Sequence, residues 1–129
     1  MEQQHINDQP GPELDAKIAV KLFGWFWKDG KLWSPGHEDW TEEQISRWSG
    51  SKPDPYSTEW DCMRLVVDEM QRRGFEYRFG SYETVSFTWK HWAKFNDDIR
   101  EYETITADSL PHAVCMAALS ALEGQEDET

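Results

Sequence analysis

The sequence predicts a single α+β domain in which an antiparallel sheet is packed between helices. Three observations predict it. Apolar residues recur at helical spacing near both ends of the chain and again around residues 60–70. Residues 75–106 contain stretches that alternate apolar and polar side chains. The 129 residues amount to one domain. A chain of this length buries about two thirds of the surface that its unfolded form exposes. Eight tryptophans, four tyrosines and six phenylalanines supply the core, since each buried aromatic removes about 150–250 Å² from water. The mean hydropathy of -0.82 therefore reflects apolar material gathered into few large side chains, not disorder.

Residues 1–10 are polar and form a loose N-terminal segment; the domain spans 11–124. Gly11-Pro12-Glu13 opens the first helix, because proline is tolerated in a first turn and an acid suits the positive helix end. Leu14, Ile18 and Leu22 form its stripe, and Gly24 is a left-handed stop. Trp25-Phe26-Trp27-Lys28 and Lys31-Leu32-Trp33 flank Asp29-Gly30, the dipeptide of a tight hairpin loop. That loop pairs Lys28 with Lys31, Trp27 with Leu32 and Phe26 with Trp33, and leaves aromatics on both faces.

Residues 34–56 form an irregular aromatic insertion with three prolines. Within it Thr41-Glu42-Glu43-Gln44 fits a capping box for a short helix carrying Ile45 and Trp48. Ser57 or Thr58 begins the next helix, with Trp60, Met63, Val67 and Met70 on one stripe and Gly74 at its end. Phe75, Tyr77 and Phe79 alternate with Glu76 and Arg78; Val85, Phe87 and Trp89 alternate with Thr84, Ser86 and Thr88. Each set reads as a strand with one buried face. Asn96-Asp97-Asp98 is a turn, and residues 99–106 form a third strand. Asp108-Ser109 caps a last helix with Leu110, Val114, Ala117, Ala118 and Leu122 on its apolar side, stopped by Gly124. Residues 125–129 are an acidic tail.

The formal charge of -12 is unevenly placed. Residues 97–129 hold 9 acids and 1 base, and residues 1–96 hold 16 acids and 12 bases. Such a surface repels long nucleic acid and attracts basic protein surfaces. No run of about 18 apolar residues marks a transmembrane helix, and the first residues lack a signal-peptide pattern. Cys62 and Cys115 are far apart and read as free thiols packed as small hydrophobes, as in a reducing cytoplasm.

Several segments together resemble the phage ABA-sandwich domain family. They are Glu13-Leu14-Asp15-Ala16-Lys17-Ile18-Ala19 running into Gly24-Trp25, then Tyr56-Ser57, then residues 110–119. The resemblance implies a helix–sheet–helix sandwich and an accessory role in a phage or prophage, within the cytoplasm of the bacterial host. It implies no reaction and no catalytic residues.

No catalytic motif stands out. The nucleophile elbow, the phosphate-cradling glycine loop and HExxH are all missing, and acids such as Asp97-Asp98 serve turns. His37 and His91 are the bases a hydrolase would use. His112 and Cys115, with Cys62 and His91, are the one conceivable zinc set, but the paired short spacing of zinc sites is missing. The reading is therefore a non-enzymatic protein with no metal or cofactor. It binds, and in the stronger form inhibits, a host protein with a basic surface. Trp33, Trp40 and Trp48 would anchor the contact, with Glu42 and Glu43 beside them. The alternative is a binder of a nucleotide or similar small anion, with Arg78, Trp89, Lys90, Trp92 and Tyr56 as its contacts.

Overall fold

The structure, a computed structural model, describes residues 9–28, 30–34 and 52–126. The short helix expected around residues 41–48 lies outside them. Among the described residues three helices and two small antiparallel sheets form an α+β fold with helices flanking the sheet, as the alternation and the helical stripes predict. The elements are α1 (Pro12–Phe23), β1 (Phe26–Lys28), β2 (Lys31–Trp33), α2 (Trp60–Arg72), β3 (Glu76–Glu83), β4 (Trp89–Asn96), β5 (Ile105–Ala107) and α3 (Leu110–Glu126). No described helix is long and apolar enough to cross a membrane.

Helix α1 begins with Pro12 in its first turn and ends at Gly24, whose φ of 80° is the left-handed stop that glycine adopts without strain. Its stripe of Leu14, Ile18 and Leu22 is buried as the spacing requires. The β1–β2 hairpin has the expected register, Phe26 with Trp33, Trp27 with Leu32 and Lys28 with Lys31.

Helix α2 starts later than expected, at Trp60, because the hydroxyl of Ser57 is engaged elsewhere. Residues 56–58 form a turn in which Thr58 and Glu59 N–H donate to the Pro55 carbonyl at 3.3 and 3.0 Å. The helix closes with Phe75 N–H on the Met70 carbonyl and Gly74 N–H on that of Gln71, both at 3.0 Å, the two bonds of a Schellman end. Met63, Val66, Val67 and Met70 face the core, whereas Trp60, expected on that stripe, is exposed.

The second sheet has the order β3-β4-β5, all antiparallel. Tyr77, Phe79 and Ser81 stand opposite Phe95, Ala93 and His91. Residues 84–88 are a loop between β3 and β4 and not the start of a strand. Phe87 N–H donates to the Thr84 carbonyl at 2.9 Å, and Thr84 N–H donates to that of Thr88 at 2.7 Å. Val85 and Phe87 are consequently 98 % and 82 % exposed rather than buried. The third strand covers only residues 105–107. The Asp97 carboxylate accepts the N–H of Ile99 and Arg100 at 2.8 and 2.9 Å and curls the chain before it can extend.

Helix α3 is central. Residues 113–119 are all buried, not one side alone. A helix apolar all round has neighbours all round: β4 and β5 lie against it, and so do α1 and α2. Alanines at 113, 117, 118 and 121 let these elements approach. Ser109 Oγ accepts the His112 N–H at 3.4 Å as its cap. Gly124 does not stop it; the helix runs on to Glu126. Gly124 is instead where the Tyr102 ring lies on the helix, 2.7 Å from where a Cβ would stand.

Candidate functional site

An aromatic groove rimmed by carboxylates forms where the end of α1 meets α2. It holds about 520 Å³ and is lined by Phe23, Trp25, Asp54, Tyr56, Leu65, Asp68, Glu69 and Arg72. Three local features build it. Gly24 turns the chain so that Phe23 and Trp25 both stay beside the core. The Asp54–Thr58 turn brings Tyr56 onto Phe23, with ring centroids 5.1 Å apart and planes 17° from parallel. Helix α2 then presents Leu65, Asp68, Glu69 and Arg72, one turn apart, along the opposite wall.

The wall is held from beneath. Ser57 N–H and Oγ–H both donate to Asp15 Oδ1, at 2.8 and 2.7 Å, and Gly11 N–H donates to Ser57 Oγ at 2.9 Å. Asp15 and Ser57 are buried, so this cluster joins the start of α1 to the turn that carries Tyr56. At the other end Arg73 Nη2 donates to the Leu22 carbonyl at 2.8 Å, placing a cation on the negative end of α1.

The groove is negative. Arg72 is its lining cation, and it binds Glu69 by two bonds, from Nε at 2.8 Å and from Nη2. Those bonds hold the Glu69 carboxyl below its ordinary range. Burial first, then the Asp54 charge, push the Tyr56 phenol up to about 12, so it stays a neutral donor. Aromatic walls with a carboxylate rim suit a cationic guest, through ring quadrupoles and charge together.

The residues expected to bind a partner are placed otherwise. Trp33 is 1 % exposed, its indole N–H donating to the Lys28 carbonyl at 3.1 Å, so it is not a projecting anchor. Trp40, Trp48, Glu42, Glu43 and His37 lie outside the described residues. The anion-binding set does not come together. Arg78, Lys90 and Trp92 share the face of the sheet away from α3 by the parity of the register, whereas Trp89 shares the opposite face. Tyr56 lies in the groove on the helical side. The cations are engaged: Arg78 with Glu76 and Lys94 with Glu101, each at 3.2 Å, and Lys90 with Asp108.

Sequence reading missed Phe23, Trp25, Asp54 and Asp68 as site residues. Gly24-Trp25 and Tyr56-Ser57 were visible, but nothing local says that they meet.

Among the described residues no three His, Cys, Asp or Glu side chains converge as metal ligands. Cys115 is buried and Cys62 half-buried; burial raises both thiols, as befits packed sulfur rather than a nucleophile. Ser81 Oγ and His91 Nδ1 are 2.7 Å apart across β3 and β4. The pair lies on an open strand surface, and among the described residues no carboxylate is hydrogen-bonded to the imidazole, so it lacks the third member of a triad. Comparison with protein-family models, with curated proteins and with solved structures returned no match.

Proposed function

We propose that this chain is a non-enzymatic phage or prophage accessory protein that binds, and thereby inhibits, a host protein through an acidic and aromatic surface. The observation that carries the reading is the groove, in which Asp54, Asp68 and Glu69 rim Phe23, Trp25 and Tyr56. A lysine or arginine of the partner would lie against the aromatic wall beside the carboxylates, and the charge of -12 would steer it there. The phage assignment is supported by the segments that resemble the ABA-sandwich family. Asp15, Gly24-Trp25 and Tyr56-Ser57 are the residues that build and brace this groove. The chain would act in the host cytoplasm, where free Cys62 and Cys115 are stable.

The test is capture from bacterial lysate on the immobilised chain, compared with the Asp54→Asn/Asp68→Asn variant. Retention at about 50 mM salt that is lost near about 0.5 M, and weakened in the variant, is expected. Retention that ignores salt, or no retained protein at low salt, overturns the reading.

A further inference from the structure

Strand β3 is an outer strand: β4 lies on one side of it, and among the described residues no strand lies on the other. The direction of its free backbone groups follows from the loop. Thr84 N–H donates to the Thr88 carbonyl. In an antiparallel pair bonded and non-bonded positions alternate, so Tyr82/Lys90, Gly80/Trp92 and Arg78/Lys94 carry the bonds between β3 and β4. The N–H and C=O groups of Tyr77, Phe79, Ser81 and Glu83 therefore point to the open edge. An unpaired edge of eight residues is a template for another strand. The same hairpin holds Phe79, Tyr82, Val85, Phe87 and Trp89, all of them exposed. Apolar surface gathered on one element marks a contact.

We propose that two copies of this chain pair β3 to β3, antiparallel, about a two-fold axis through Gly80, and so join their sheets into one of six strands. Geometry selects this occupant and this register. A two-fold pairing keeps the helices of both copies on one side only if opposed residues share a face, which places the axis on a residue and not between two. With the axis on Gly80, Tyr77 faces Glu83 of the second copy and Phe79 faces Ser81. All four outward N–H groups and all four outward carbonyls are then used. An axis on Phe79 would set Glu83 against Phe75, beyond the strand. The Gly80 register also puts each Arg78 opposite the second copy's Tyr82, a cation beside a ring, and opposes no like charges. Gly80 falls at a non-bonded position, where opposed backbones come closest, and the Trp92 indole already fills the space its Cβ would take.

The edge itself carries Glu76, Arg78 and Glu83, whereas each whole chain carries -12. Salt screens the long-range repulsion and leaves the ladder intact, so pairing tightens as salt rises. Capture of a basic partner in the acidic groove weakens with salt, so the two readings fail separately.

Sedimentation equilibrium at rising concentration and at two salt levels tests the proposal. A monomer–dimer equilibrium that tightens with salt is expected. Ser81→Pro removes an outward N–H without breaking a backbone bond to β4 and should weaken the dimer by about tenfold or more; the only bond to β4 it loses is that of the hydroxyl to His91, which Ser81→Ala loses as well. Ser81→Ala, which loses only the hydroxyl, should leave it intact. If Ser81→Pro does not fold, Arg78→Cys/Tyr82→Cys in a Cys62→Ser background decides. Those positions face each other across the axis and should oxidise to a covalent dimer, while each single variant stays monomeric on a non-reducing gel. A monomer under every condition overturns the proposal and leaves the edge to a foreign strand. A dimer that Ser81→Pro leaves unchanged, or cysteine pairs that do not cross-link, also overturn it.

Discussion

The Asp15 carboxylate accepts both the N–H and the hydroxyl of Ser57 from a position 42 residues earlier in the chain. Both residues are buried, so each would be costly without the other. The pair is the main polar tie between α1 and the turn that carries Tyr56, and the shape of the groove depends on it.

Asp15→Ala therefore leaves the Ser57 N–H unpaired in the interior and leaves the hydroxyl only the Gly11 carbonyl, 3.4 Å away. A loss of about 2–4 kcal/mol is expected, read as a lower urea midpoint at unchanged slope. Ser57→Ala keeps the backbone donor and should cost less. A loss in Asp15→Ala no larger than that of an ordinary surface substitution would show that the pair is incidental.

Gly124 offers a reversal of sign. In most helices glycine to alanine stabilises by about 1 kcal/mol. Here a Cβ would stand 2.7 Å from Tyr102, and that ring is not free to yield. Its hydroxyl donates to Asp97 Oδ2 at 2.7 Å, and this bond, with the N–H groups of Arg100 and Ile99, holds the Asp97 carboxyl well below its ordinary range. Gly124→Ala should lower the melting temperature, and Gly124→Ala in a Tyr102→Ala background should restore the usual gain. A rise in the single variant would show that the ring moves aside at little cost.

These cases show what the sequence holds and what it hides. The hairpin at residues 26–33 was legible to the residue because Asp29-Gly30 is a local turn signal flanked by apolar runs. The ends of α1 and α2 were legible because Gly24 and Gly74 take left-handed backbone. The loop at 84–88 was not, since Thr, Val, Ser and Phe alternate like a strand and no glycine, proline or asparagine marks it. Gly124 misled for a related reason: its role is a tertiary approach by Tyr102, which no local pattern encodes. The groove was hidden more deeply. Phe23 and Asp68 line one groove across elements tied by Asp15 to Ser57 and Arg73 to Leu22, both long-range bonds.

Tyr77 should be better replaced than kept, as far as stability goes. Its ring stacks on Phe79 and Phe95, with centroids 4.9 and 5.2 Å apart. Its hydroxyl is buried, and among the described residues it has no hydrogen-bond partner. Tyr77→Phe keeps the stack and removes the unpaired group, so a gain of about 1 kcal/mol is expected. Burial pushes the Tyr77 phenol to about 12, from an ordinary value of 10.0. The folded form then holds a proton that the unfolded form releases, so stability is full below pH 10 and declines as pH rises through 12. Denaturant titrations in that window should show a shallower decline for Tyr77→Phe. An equal slope would place the phenol in contact with water.

Phe87 occupies the position that glycine usually holds in a three-residue hairpin loop, with φ of 65°. Left-handed backbone costs a non-glycine residue about 1–2 kcal/mol, and the 82 % exposed side chain recovers little by burial. The loop is kept in shape by hydroxyls instead. Thr84 Oγ1 lies 2.8 Å from Thr88 Oγ1 and 3.0 Å from Ser86 Oγ, and it accepts the Ser86 and Thr88 N–H groups at 3.3 Å. Phe87→Gly should therefore raise stability by about 1 kcal/mol, read as a higher urea midpoint, while Thr84→Ala should lower it. If Phe87→Gly destabilises, the ring itself holds the loop, and the strain is offset within the monomer. If it stabilises, a residue that costs the free chain energy stays at the tip of the same hairpin whose edge is open, which is where a contact with another chain would repay it.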